Sequence, residues 1–473
     1  MKCFIGLGVW PYNRARMSER FRSCSLDQPF LMPPSLQDWL PENHLARFIA
    51  EITAQLDLQA ILRQYSRKDR RGAEGYHPVM LVRLLLYAYC VGEASSRKIE
   101  KATSEDVAFR YLAANQHPDH DTIASFRRQH LERLGELFTQ GLGLCREAGL
   151  MKMGKVMLDG TKIAASASRR KNLDHAKMQL REEELKQKVA EMLRKAEATD
   201  AAEDGQYGKG KRGDELPAEL ADRQQRLKRI QEAKARLEER SQQRAEQAER
   251  ERAEQKASGE AASDTQKKRW QRARAAAAEQ HGHINLTDAE SQLMKNGNVG
   301  GYVQGYNAQA AVLENQIIVA AEVSDEAGDK QQLVPMAAKV MEGLGSAPTA
   351  LVADSGYFSE QAVTAESLKG MELLVAPDRT KPGEPLKANA PQGQAATQMR
   401  EKLASEEWGP VYRLRKQTIE PVFGQIKESR GFRRFLFRGL QRVRAEWRII
   451  ALTHNLLKLF RHRSSENAIL AVS

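Results

Sequence analysis

Three acidic residues stand where a fold could hold them rigidly against a substrate. Asp159 closes the apolar part of "KVMLDGTKIAAS", Asp354 terminates "ALVAD", and Glu420 is the single acid among four basic residues in "YRLRKQTIEPVFGQIK", Tyr412 to Lys427. A carboxylate at a strand end is fixed by the sheet yet reaches solvent at its rim. Carboxylates brought together repel one another unless a cation neutralises them. Mg²⁺ takes oxygen ligands and keeps several waters, so two or three carboxylates suit it. Two such ions about 4 Å apart can activate a nucleophile and stabilise the leaving oxygen of a phosphodiester. The plainer reading is that each Asp is a turn or cap residue, since "DGT" and "DSGY" both fit turns. Asp288, Asp325 and Asp329 compete for the same role; Asp329 reads as a helix cap and Asp325 as a turn residue.

Around Glu420, the residues Tyr412, Lys416, Phe423 and Lys427 share its helical face. Such a face aims an acid at a metal while Lys416 and Lys427 meet flanking phosphates. Pro421 leaves two arrangements open: a continuous helix lacking one hydrogen bond, or a helix capped by Thr418 with Pro421 in its first turn. Downstream, Arg430, Arg433, Arg434 and Arg438 interleave with Phe432, Phe435 and Phe437. Cations mixed with aromatics suit a phosphate backbone with unstacked bases. The alternative keeps the phenylalanines in the core with the arginines as solvated neighbours.

The elements that must position these residues follow from periodicity. Residues 36–150 carry apolar positions at helical spacing and read as an all-helical unit, with one helix opened by Ser104 and another capped by Asp119 or Asp121. From Lys155 the pattern becomes strand, long insertion, strand, strand, helix, strand, helix, strand, helices, which is a mixed sheet with helices packed on it. The insertion, about residues 173–284, has apolar residues at four-three-four spacing in Leu185, Val189, Met192 and Ala196, and again from Leu220 to Leu237. Two antiparallel helices with a Gly-rich, charged tip account for that pattern. Glu238 to Arg269 lacks large apolar residues and is either a solvated helix or disordered. His281 and His283 in "HGH" read as surface residues.

The chain has 473 residues, 41% hydrophobic and 29% charged, with a net charge of +12 and a pI near 9.4. That balance favours an acidic partner, most simply nucleic acid. Four scattered cysteines form no CxxC pair, which argues against a zinc site and a disulfide framework. The longest apolar run, Leu81 to Gly92, is too short for a bilayer and contains Arg83, and the first residues make a poor signal peptide. Met17 serves as well as Met1 for a natural start.

Taken together, "MLDGTKIAASAS", "ADSGY" and "RKQTIEPVFGQIKESRGFRRFLFRGL" resemble bacterial insertion-sequence transposases of the DDE superfamily. "GYHPVMLVRLLLYAYCVGEASSRKIE" with "FRYLAANQHPDHDTIASFRRQH" is similar to the helical N-terminal domain of one large group of them. The resemblance spans nearly all of residues 17–460. It implies an α/β, RNase H-like mixed five-stranded sheet with flanking helices, preceded by an all-α domain and interrupted by an inserted helical hairpin. The implied division is an extension at 1–35, a terminal-repeat-binding helical domain at 36–150, a catalytic domain at 151–172 and 285–460, the insertion at 173–284 and a tail at 461–473.

It also implies Asp159, Asp354 and Glu420 as catalytic, metal-binding residues for Mg²⁺, with Mn²⁺ in its place. The group's Tyr-Arg-Glu-Lys signature maps to Tyr412, Glu420 and Lys427. Four residues rather than three separate Arg415 from Glu420, so either Arg415 or Lys416 takes the Arg role. Tyr412, Arg415, Lys416, Lys427, Arg430, Arg433 and Arg434 are the expected DNA contacts. The implied partners are double-stranded DNA, as terminal inverted repeats and as target, and a second copy of the chain, in a bacterial cytoplasm at the nucleoid and with no membrane. The rivals are a nuclease of similar fold without strand joining, and a catalytically silent DNA-binding protein descended from a transposase.

Overall fold

The computed structural model describes residues 35–65, 75–152, 154–207, 218–257, 264–278, 283–295, 301–379 and 390–470. His281, the insertion tip and nearly all of the N-terminal extension, with Cys3, Met17 and Cys24, lie outside them.

Among the described residues, seven α-helices precede the sheet: α1 (Leu45–Gln55), α2 (Gln59–Leu62), α3 (Pro78–Cys90), α4 (Ser96–Glu105), α5 (Val107–Leu112), α6 (His120–Gln129) and α7 (Leu131–Glu147). Local chemistry sets their ends. Pro78 sits at the start of α3, where its missing N–H costs nothing. Asp119 caps α6 through the Thr122 amide at 2.7 Å. Asp106, rather than Ser104, divides α4 from α5, accepting from the amides of Ala108 and Phe109. Helix α3 is apolar almost all round and is accordingly buried from Met80 to Cys90 apart from Arg83.

The sheet follows. Strand β1 (Lys155–Ala164) leads through a short ribbon, β2 (Asn172–Asp174), into the insertion helices α8 (His175–Tyr207), α9 (Ala218–Ala257) and α10 (Asp264–Ala278). The chain returns through β3 (His283–Asn285), paired antiparallel with β2. Next come β4 (Gln292–Lys295), β5 (Tyr302–Leu313), β6 (Ile318–Ser324), α11 (Leu333–Leu344), β7 (Ala350–Ala353), α12 (Glu360–Val363), β8 (Leu373–Val375), α13 (Gln394–Ala404), α14 (Trp408–Gly424) and α15 (Leu440–Leu470). The main sheet runs β4-β5-β1-β7-β8, with β6 also on β5; β5 is antiparallel to its three neighbours, and β7 and β8 are parallel to β1.

That makes six strands where five were expected, the short β4 being the addition. The insertion departs from a simple hairpin as well. Its described residues form three helices, with α9 packed against both α8 and α10. The stretch from Glu238 is helical to Ala257, as its Ala, Glu, Arg and Gln content favours. A small core of Leu173, Met178, Ile230, Leu237 and Ile284 ties the insertion to its ribbon.

One hydrophobic core runs from the first helices through the sheet to α15. Helix α15 packs along α7, β6 and α3. A β-carbon on Gly141 of α7 would stand 2.3 Å from Leu452 of α15, so glycine sets that close approach. The helix continues past residue 460, where a tail was expected, to Leu470. Phe432 and Phe435 are buried and Phe437 is partly so, which makes them core residues.

Arg430 corrects an expectation. It is buried, and its guanidinium donates to the carbonyls of Tyr89 on α3 and Ile450 on α15 and to Thr453, lying over Phe432. Burial lowers its pKa to about 10. A cation so enclosed binds helices together and does not meet DNA. Truncating a buried, hydrogen-bonded charge commonly costs about 3–5 kcal/mol. Arg430→Met is therefore expected to lower unfolding free energy by that order in urea denaturation, whereas exposed Arg434→Ala stays within about 0.5 kcal/mol of the parent.

Glu446 of α15 is buried and accepts from the amides of Leu436 and Phe437; burial raises its pKa to about 7, against a smaller lowering by those amides and by Arg127. The folded chain thus holds this proton more tightly than the unfolded chain does. Its stabilisation is complete below the unfolded carboxyl value of about 4.5 and is lost as pH rises through about 7. Between pH 5 and 8, Glu446→Gln should flatten the parent's decline in stability by about 2 kcal/mol. Parallel stability curves for the two proteins would contradict this.

Candidate active site

The last parallel pairs between β1 and β7 are Met157↔Val352 and Leu158↔Ala353. Asp159 and Asp354 each follow immediately, so two neighbouring strands deliver one aspartate apiece at the same level. β1 does not stop there: it continues to Ala164 along β5, with Asp159 opposite Ala310. Each aspartate is steadied by a nearby amide, Gly160 N–H to Asp159 Oδ1 and Gly356 N–H to Asp354 Oδ1, both at 2.8 Å.

A third acid joins them, and it is Asp329, from the loop between β6 and α11. Helix α11 begins at Leu333 after Gln332, so Asp329 is not its cap. Instead its Oδ1 accepts from Asn307 at 2.7 Å and Gln309 at 2.8 Å, both fully buried on β5. A β-carbon on Gly356 would lie 2.9 Å from Asp354 Oδ1 and 3.3 Å from Asp329 Oδ2, so both carboxylates border that glycine. Tyr357 donates to Gln309 Oε1, and Trp447 donates to the Gln309 carbonyl at 2.8 Å, so a chain of buried polar groups backs the acids. The sequence offered Asp329 only as a competitor that reads as a helix cap; its partners lie on a different strand, and only the folded sheet brings them together.

The charge balance follows. Burial pushes the Asp159 carboxyl up to about 6; the neighbouring charges of Asp354 and Asp329 add to the rise, and Arg415 opposes it. Arg415 Nη1 lies 2.9 Å from Asp159 Oδ2 and is itself buried. Lys162 stands 4.0 Å from Asp329, with its pKa lowered by burial against the pull of the three aspartates. Asn307 Oδ1 is buried without a hydrogen-bond partner. It lies 2.8 Å from where a Gly160 β-carbon would be, as does Asp329 Oδ1.

Helix α14 is continuous, with Pro421 inside it, followed by a π-helical turn at Gln425–Ser429. Pro421 sits on the exposed face, and so does Gln417, whose freed carbonyl is open to water. Arg415 faces inward to Asp159, and Lys427 donates to Thr161 Oγ1 at 3.0 Å and to the Lys162 carbonyl at 3.3 Å. Half-buried Tyr412 lies beside Arg415 and within the field of Asp354 and Asp159. Lys416 and Glu420 are exposed. Glu420 takes no hydrogen bond or ion pair from a described residue, and no group of three His, Cys, Asp or Glu among the described residues is placed to hold an ion. The structure thus brings Asp159 and Asp354 together and leaves Glu420 apart from them.

Of the remaining expected DNA contacts, Arg433 is exposed and paired with Glu428, and Arg434 is exposed. Among the competing acids, Asp288 is buried, accepting from Tyr306 at 2.8 Å, and Asp325 pairs with Arg240. His283 is exposed at the insertion's ribbon.

Gly160 is where the pocket tolerates no side chain: a β-carbon there would stand 2.4 Å from Gln309 Nε2 and 2.8 Å from Asn307 Oδ1. Both amides are locked in the core. Gly160→Ala is expected to cost about 1–3 kcal/mol of stability by overpacking, read as a lowered midpoint in thermal or urea unfolding. An unchanged midpoint would mean the pocket is looser than drawn.

The family described as Transposase domain (DUF772) matches residues 34–129, and the family described as Transposase DDE domain matches residues 378–460. The second match contains Glu420 but neither aspartate. No curated protein and no solved structure matches the chain. No helix among the described residues is long and apolar enough to cross a membrane. A match to a transposase domain over the first helices and a match to a transposase DDE domain over α13 to α15 together support an insertion-sequence transposase of the DDE kind.

Proposed function

We propose that the chain cuts the phosphodiester at each end of its own element and joins the exposed 3′-OH to target DNA, through an RNase H-like site of Asp159, Asp354 and Glu420. The observation that carries this reading is the register that sets Asp159 beside Asp354 on parallel strands. The donor set fits a hard divalent ion: both groups offer carboxylate oxygens, Asp159 is desolvated, and an unpartnered amide oxygen of Asn307 lies beside the pocket. Mg²⁺, or Mn²⁺ in its place, would supply activation of the attacking hydroxyl and stabilisation of the leaving oxygen.

The chain's own groups do the rest. Asp159 and Asp354 hold the ion from the sheet, and Glu420 approaches from α14. Arg415 neutralises Asp159 until that charge is met otherwise. Lys427 keeps α14 seated on β1, and Lys416, Arg433 and Arg434 face solvent, where they meet phosphates. Residues 36–150 read the terminal repeats, residues 151–172 and 285–460 carry the chemistry, and residues 173–284 form the insertion. Two copies bring two ends together, in a bacterial cytoplasm at the nucleoid.

A second reading rests on one observation: Glu420 stands apart while Arg415 occupies Asp159. On that reading the protein binds terminal repeats and cuts nothing.

Asp354→Asn decides between them. It should leave terminal-repeat binding intact and lower Mg²⁺-dependent nicking of a labelled element end by about 10²-fold or more. Parental cleavage by the variant would remove Asp354 from the site. A parent protein that binds repeats with a steep salt dependence yet cuts with neither Mg²⁺ nor Mn²⁺ would establish the silent reading.

A further inference from the structure

Beyond the acid pocket, β1 leads into a groove of about 630 Å³ lined by Ala164 to Lys171, Thr287, Tyr302 to Gln304, Arg434 and Arg438. Five of its residues are basic and none is acidic. Arg169, Arg170, Lys171 and Arg434 are exposed and form no ion pair with a described carboxylate. Such a concentration of like charge is unfavourable unless an anion is meant to share it. Tyr302 is 53% exposed, a large ring left in water at the same rim.

The frame of the groove is rigid. Arg434 is held against β1 by its neighbours, since Ala164 N–H donates to the Arg433 carbonyl at 3.1 Å and Phe435 N–H to the Ala164 carbonyl at 2.9 Å. Arg438 donates to the Ser166 carbonyl at 2.9 Å. The buried side chain of Asn285 donates to the Ser168 carbonyl at 2.8 Å, and Asn172 donates to the buried Gln304 at 2.8 Å. A second, smaller hollow of about 480 Å³ extends the basic surface through Arg169 and Arg170 to Lys177 and His283, at the foot of the insertion.

We infer that this groove binds an unpaired DNA strand running on from the acid pocket, with the arginines on its phosphates and Tyr302 stacked on a base. Cations tracking a backbone beside an aromatic platform are what single strands require, because every base has a π-face and the contacts ignore sequence. A duplex keeps its bases stacked and offers Tyr302 nothing to stack on. The spacing suits a continuous strand. Ala164 lies five residues beyond Asp159 on β1, about 17 Å at strand rise, a span of a few nucleotides of an extended strand. The inference rests on the reading of the chain as a DNA-cutting enzyme, but its test uses binding alone.

The test is fluorescence anisotropy with the full chain, without divalent ions, using an oligo(dT) strand of about twelve nucleotides and the matching duplex. Tyr302→Ala should weaken single-strand binding by about 5- to 100-fold and leave duplex binding unchanged, while Tyr302→Phe keeps the parental affinity. Joint replacement of Arg170 and Arg434 by Ala should reduce the salt slope for the single strand by about 1.4. In addition, 2-aminopurine substituted within the oligo(dT) strand should be quenched on binding to the parent and not to Tyr302→Ala. If Tyr302→Ala binds the single strand as the parent does, or weakens strand and duplex alike, the groove holds no unpaired strand. Absence of cleavage leaves these readings unaffected, so this inference and the catalytic one fail separately.

Discussion

Two aspartates on adjacent strands, in a pocket that burial has largely closed to water, set the terms for the rest of the site. Neither carboxylate can move away, because the pairing of Leu158 with Ala353 fixes both. Like charges so placed repel one another unless a cation answers them. In this structure the answer comes from Arg415 on Asp159 and Lys162 near Asp329. The amides of Asn307 and Gln309 take the remaining burden by donating to Asp329. The cations and amides around the three aspartates thereby share the negative charge of the pocket.

The same logic explains why the helical region and the sheet share a core. Helix α15 lies along α7, β6 and α3, and Trp447 on it reaches the β5 carbonyl at Gln309, directly behind the acid cluster. Arg430 bridges α3 to α15 from the segment that follows α14. The first helices are therefore coupled mechanically to the elements that back the pocket. The linkage is made of buried hydrogen bonds and close packing at Gly141, contacts that do not deform gradually.

Much of this was legible in the sequence, and the reasons are local. The apolar runs before Asp159 and Asp354 are short, so both strands could be read directly, and Asp354 does follow the end of its strand; Asp159 does not, because Gly160 and Thr161, which looked like turn residues, continue β1 along β5. Helices α3 and α6 announced themselves through Pro78 and Asp119. The failures share a cause as well. Arg430 looked like a DNA contact because its neighbours are basic and aromatic; its burial depends on carbonyls of residues 89 and 450, which no local pattern reveals. Asp329 looked like a cap because it precedes a helix; its partners at 307 and 309 sit on another strand. Arg415 was off the expected spacing, yet the helix turns it inward to Asp159. Side-chain type and period specify elements, whereas the counter-charge of a buried acid is specified by long-range pairing.

The standing of Glu420 turns on α14. The helix is pinned to β1 at two points, by Arg415 at Asp159 and by Lys427 at Thr161, and Glu420 lies between them on the exposed face. The first pin is electrostatic and competes with any cation that Asp159 accepts. The second is a lysine hydrogen bond beside a π-helical turn, a distortion that tends to mark functional sites. Pro421 removes one backbone hydrogen bond next to Glu420, so this part of the helix is the least constrained by its own ladder. Loss of the Arg415 pin would still leave the helix, which packs against β1, β5 and β7, seated by Lys427 and by its buried residues Val411, Ile419, Val422 and Phe423. The exposed place of Glu420 is therefore set by the packing of α14 as a whole, in which the contact of Arg415 with Asp159 is one restraint among several.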